Sequence, residues 1–248
     1  MLESPVARGG PVSAEPCPTV DCVTVTTTTN RLQLVRVAAA VWIVAAVFYL
    51  IVEKIAADHV KGHYSYLHHY ISVLGVPAWG QYAWLMNGAF YLQGALMLVG
   101  SVLVTRASGR RGVFFLVFTA AATIGYFLVA TVHGGSPLAE GDGLQFHMAG
   151  ALLVFIAGNL AIVPGSKIVA RAVDARWWYR AVSLLIAAVG VIAWVALANY
   201  NVWGRSFGPV GLLERIPVYS ILAWQVFSAV VLLRLVGKRH VHVEDARV

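Results

Sequence analysis

Six apolar runs, each about twenty residues long, decide most of what this chain can become. They lie near Leu34–Val52, Tyr82–Val104, Val113–Val132, Gln145–Val163, Tyr179–Asn199 and Pro217–Leu235. An α-helix rises 1.5 Å per residue, so each run matches the ~30 Å hydrocarbon layer of a bilayer. The runs are continuous, whereas barrel strands alternate apolar and polar residues over about ten positions. Of the 248 residues, 59% are hydrophobic and 12% charged, more apolar side chain than a soluble domain of this size can hide. The expected fold class is therefore an all-α membrane protein, a six-transmembrane-helix bundle. Its immediate partner is the lipid bilayer.

The basic residues orient the bundle. Lys and Arg gather on the cytoplasmic side of membrane proteins. Arg8, Arg31 and Arg36 precede the first run; Arg106, Arg110 and Arg111 follow the second. Lys167, Arg171, Arg176 and Arg180 lie between the fourth and fifth; Arg234, Lys238, Arg239 and Arg247 close the chain. These make fourteen on one side, against Lys54, Lys61, Arg205 and Arg215 on the other. Both N- and C-termini are expected to be cytoplasmic, in a multi-pass plasma membrane protein. The net charge of +7 is thereby explained by topology. No basic stripe interleaves with exposed aromatics, so no nucleic-acid partner is expected.

Composition divides the chain into a disordered cytoplasmic tail over 1–31, a six-helix transmembrane domain over 32–236 and a cytoplasmic tail over 237–248. The first tail is rich in Ser, Thr, Pro and Val and ends in TVTTTTN, without the pattern of a cleaved signal peptide. Its Cys17 and Cys22 match no zinc or redox spacing.

The first outer loop carries the densest polar chemistry. The stretch HVKGHYSYLHHYISVLGV, His59 to Val76, contains four of the eight histidines. Tyr64 to Leu74 is expected to form a short helix ended by Gly75 and blocked by Pro77. Asp142 and Gln145 have the spacing of a capping box for the fourth span. With His133 and His147, six histidines share the outer face. His63, His69, His133 and His147 are the candidates for a zinc-type hydrolytic centre, although their spacing is no zincin motif. A single haem between His133 and His147 is a further reading. A proton-linked small-molecule transporter is another, but the span centres lack the ionisable groups that mark one. The simplest reading of the histidines is interfacial, bonded locally or to headgroups, with no cofactor. Polar residues within the spans, among them Asn87, Gln93, Tyr126, Asn159 and Gln225, suit bonds between helices.

Several local patterns together resemble a bacterial and archaeal membrane family catalogued as domain of unknown function 998. They are Ile71-Ser72-Val73-Leu74-Gly75 before the second span and Leu85-Met86-Asn87-Gly88 within it. His147 follows, leading into Phe155-Ile156-Ala157-Gly158-Asn159-Leu160, and then Glu214-Arg215-Ile216 before the sixth span. The resemblance runs from the first span to the sixth. It implies a six-helix integral membrane protein of undefined activity and directs attention to Ser72, Gly75, Asn87, His147, Asn159 and Arg215. The family often has an acidic residue after the serine, where this chain has Val73. There is also a looser similarity to membrane hydrolases that use a serine, histidines and an aspartate, for which paired late-helix histidines are missing. The expected function is binding of a lipid or small molecule in a polar outer-face pocket. Its candidates are Ser72, Asn87, His133, His147 and Arg215; a metal-dependent hydrolase at the same face is the alternative.

Overall fold

The computed structural model describes the backbone of residues 19–204 and 208–245, with side chains over 30–204 and 208–236. Among the described residues, six helical rods are long and apolar enough to cross a membrane. They are α1 (Thr19–Asp58), α2 (Ala83–Ser108), α3 (Val113–Thr131), a composite fourth rod, α6 (Trp177–Trp203) and α7 (Val210–Asp245). The composite rod runs from α4 (Leu144–Leu153) through one π turn (Val154–Gly158) into α5 (Asn159–Val173). The described residues hold one isolated bridge, Val60 to Gly80, and no β-strand. Helix α1 begins at Thr19, inside the stretch read as a tail, and residues 1–18 and 246–248 lie outside the described residues.

Two rods continue past the ends of their apolar runs. Helix α1 goes on from Val52 to Asp58, so Glu53 is helical; α7 begins at Val210, so Glu214 and Arg215 are helical too. A hydropathy reading stops at the first charge, but a helix does not when a partner receives that charge.

The rods close into a ring. Each packs on the next in sequence, and α7 returns to α1. The α5 rod also touches α2, α3 and α7, so it fills the middle. Near the centre, the rings of Trp42 and Trp224 sit 5.3 Å apart, and Trp224 meets Phe115 edge-on. The Trp42 indole donates to the Met97 carbonyl (3.3 Å) and the Trp224 indole to the Ser183 hydroxyl (3.2 Å). Buried polar atoms in a bilayer need such partners inside the protein. The outward faces carry large apolar side chains, with Phe114, Leu185 and Ile192 all well exposed, as lipid contact requires.

The connections at one end are short, 109–112 and 174–176, and begin on left-handed Gly109 and Asp174. From α1, Arg31 reaches the last turn of α5 there and donates to the carbonyls of Arg171 and Ala172, both at 3.2 Å. The opposite end carries the connections 59–82, 132–143 and 204–209. The capping box expected at Asp142 and Gln145 is absent. The chain enters α4 through a 3₁₀ turn, Gly141–Gly143, and no side chain caps the helix.

Candidate functional site

The long connection 59–82 folds over the end of the bundle. Ile71 and Leu74 are buried in the core. The helix expected over Tyr64 to Leu74 is reduced to a 3₁₀ turn, Ile71–Gly75, and the cause lies in α7. A continuous helix would use the carbonyls of Tyr66, Leu67 and His69 for its own ladder. Instead, Arg215 Nη1 donates to the Tyr66 (2.9 Å) and His69 (2.8 Å) carbonyls, and the Leu212 amide takes that of Leu67 (3.2 Å). The Ile71 amide donates to the Glu214 carboxylate. Glycine at 211 permits this contact, because a Cβ there would collide with the backbone of Leu67 and His69. The expected stop at Gly75 holds, and the Asn87 amide fixes it by donating to the Gly75 carbonyl (2.9 Å).

Arg215 is 2% exposed, and Glu53 beside it is 1% exposed. The guanidinium Nε donates to Glu53 Oε1 at 2.9 Å, and the Tyr219 hydroxyl donates to Glu53 Oε2 at 2.8 Å. Nη1 also reaches the Gly211 carbonyl (3.0 Å), and Nη2 bonds the Tyr64 hydroxyl. Its plane lies 5.5 Å and 4.8 Å from the ring centres of Tyr64 and Tyr66, within cation–π range. Burial, the largest influence, holds the Tyr64 phenol above its ordinary range against the pull of Arg215. It therefore stays a neutral donor, passing its proton's bond to the Tyr70 carbonyl (3.1 Å). One arginine thus ties α1, the loop and α7 together, with every donor group engaged.

Glu214 is different. It is 6% exposed and lies next to Arg215 in sequence, yet the arginine turns to Glu53. Among the described residues no cation pairs with Glu214. Its contacts are the Ile71 amide and the nearby Ser72 hydroxyl and amide. It lines a narrow cavity with Ser72, Tyr126 and His147, closed by apolar Phe90, Val129, Val154, Phe155 and Val218. The cavity has about 20 Å³ of space, enough for one water-sized group. The Tyr126 hydroxyl is buried in this wall without a hydrogen-bond partner. His147 Nδ1 lies 3.0 Å from the Val132 carbonyl, with the Val129 carbonyl also beside the ring. A carbonyl only accepts, so Nδ1 carries the proton, and Nε2 of the neutral ring is an acceptor. The π turn contributes Val154 and Phe155 to this wall; such turns frequently lie at functional positions.

Of the binding candidates, Ser72 and His147 meet at this cavity. Asn87, His133 and Arg215 do not line it. His133 is half-buried, with Nδ1 near the Gly134 carbonyl at 3.1 Å. Among the metal candidates, His63 is exposed, while His69 accepts the Ser65 amide (2.9 Å) and stacks on Tyr64. Among the described residues, no three histidines, cysteines or carboxylates come together as a metal site. Topology puts Glu53 and Glu214 on the same outer face as the histidines, but neither they nor Tyr126 stand among the sequence's binding candidates. The signal that could have found them is charge adjacency, since Glu214-Arg215 next to an apolar run needs a buried counter-charge.

A family model described as a protein of unknown function (DUF998) matches residues 29–231. No curated protein and no solved structure matches the chain.

Proposed function

The chain belongs to the DUF998 family of proteins of unknown function, and from its own site we propose that it binds the polar end of a membrane amphiphile. The observation that carries this reading is the cavity beneath the folded loop. Four polar groups, from Ser72, Tyr126, His147 and Glu214, meet a wall of apolar side chains. A mostly apolar pocket with a few convergent polar groups suits a ligand that is itself apolar with one polar end. A protein embedded in a bilayer meets such molecules at very high local concentration. The charge bias of the loops supports reading this end of the bundle as the outer face. The outer leaflet then supplies the ligand.

The test is mass spectrometry of protein purified in a mild detergent. Wild type is expected to retain a lipid or related amphiphile. Ala151 lines the cavity with a single methyl, so Ala151→Phe should fill the space and abolish retention while the helices still form. A wild-type protein that carries no amphiphile overturns the reading, as does undiminished retention in the filled variant.

A further inference from the structure

The cavity also states what kind of polar end it accepts. Its four polar groups are unequal partners. The Glu214 carboxylate offers only lone pairs, and Nε2 of neutral His147 does the same. The Ser72 and Tyr126 hydroxyls can accept as well as donate. A phosphate or carboxylate entering here would meet acceptors and an acidic group. A hydrogen-bond donor would meet complementary atoms on every polar side.

Charge narrows the donor further. Arg215 and Glu53 cancel as a buried pair. The remaining buried acid, Glu214, has no cationic partner among the described residues, and it faces the cavity. Hydrogen bonds from Ile71 and Ser72 ease its burial, but a buried carboxylate without an ion pair still favours a cation at its side. The Tyr126 hydroxyl, 1% exposed, has no hydrogen-bond partner in the same wall. Buried polar atoms are nearly always satisfied, so an orphaned hydroxyl beside a water-sized cavity points to an occupant. The space fits a group the size of water, which an –NH₃⁺ matches and a trimethylammonium exceeds. We infer that the cavity is the seat for a protonated primary amine, whose adjoining methylenes lie along Phe90, Val154, Phe155 and Val218. Three N–H donors then reach Glu214, Tyr126 and His147, the last two as neutral acceptors. This inference rests on the amphiphile-binding reading above.

The experiment is lipid competition by native mass spectrometry. Purified protein is exchanged into micelles holding equal amounts of phosphatidylethanolamine, phosphatidylcholine and phosphatidylglycerol with identical acyl chains. Phosphatidylethanolamine, the lipid with a primary ammonium, should be enriched about tenfold over both others, the factor that 1.4 kcal/mol of selectivity supplies. Glu214→Gln keeps the shape and removes the charge, so the enrichment should vanish. Tyr126→Phe removes one hydroxyl and should weaken the enrichment severalfold, and it remains informative if the first variant fails to fold. Excess free ethanolamine supplies the head without the chain. Displacement of the lipid by it identifies a free amine as the natural occupant, and no displacement identifies the lipid. Retention of all three lipids equally, or an enrichment that survives both substitutions, overturns the inference while amphiphile binding stands. Retention of no lipid removes both.

Discussion

At the scale of single residues, Arg215 separates a structural charge from a functional one. All its donor groups are used within the protein, on Glu53, Tyr64 and three backbone carbonyls. Removing one partner of a buried pair leaves the other charged and unsatisfied, at a cost of about 3–5 kcal/mol. Arg215→Ala should therefore lower the thermal unfolding temperature in detergent sharply. It should also expose the loop to trypsin at Lys61, since the loop would lose its tie to α7. Arg215→Lys should do nearly as badly, because an ammonium on a flexible stem cannot reproduce the fork that holds three carbonyls. The double change Arg215→Met with Glu53→Met removes both charges together and should recover part of the lost stability. A double variant no better than Arg215→Ala would mean that the carbonyl bonds, rather than the ion pair, carry the cost. Glu214 has the opposite character. Its sequence neighbour forms its ion pair with Glu53 instead, and Glu214 lines the cavity.

At the scale of elements, the π turn and the proline-bearing α7 are linked by one amide. Asn159 Nδ2 donates to the Phe155 carbonyl (2.9 Å) and to the Pro217 carbonyl (3.0 Å). A π turn and an in-helix proline each disturb the regular ladder, and a buried carbonyl without a donor costs about 1–3 kcal/mol. Asn159→Leu should lower stability by roughly that amount. Gly190 lies against the same amide with no room for a Cβ, so Gly190→Ala should displace the amide and produce a similar loss. The two changes strike one interaction, so the double variant should lose much less than the sum, as measured by a thermal double-mutant cycle. Additive losses would show that Gly190 serves packing alone. The sequence made the rods legible, because apolar length is a local property. It did not reveal the π turn, the 3₁₀ turn or the loop's path. Tyr64 to Leu74 has a helical spacing, but its carbonyls are claimed by Arg215 and Leu212, residues some 140 positions away. No local pattern records that competition. Ser72 and His147 were identifiable, whereas Glu214 gained its role only when Arg215 turned toward Glu53.

At the scale of the whole molecule, the polar groups are unevenly distributed along the bundle. The end that carries 59–82 holds Glu53, Glu214, Arg215 and their tyrosines in a folded cap. The other end carries solvated Arg110, Arg111, Lys167, Arg171 and Arg180. The six rods place both terminal helix ends together with that basic end. The excess of Lys and Arg there predicts that it faces the cytoplasm. The chain has only two cysteines, Cys17 and Cys22, so a thiol-free background needs two changes to Ser. In that background, His63→Cys places a thiol on the exposed loop and Arg110→Cys places one on the basic end. A membrane-impermeant maleimide added to intact cells should label the first and spare the second. Permeabilised cells should show both labelled. The reverse pattern would put the amine-accepting cavity at the cytoplasmic face, where its ligand would come from the inner leaflet. A basic end turned outward would also mean that the folded cap, rather than loop charge, sets the direction of insertion.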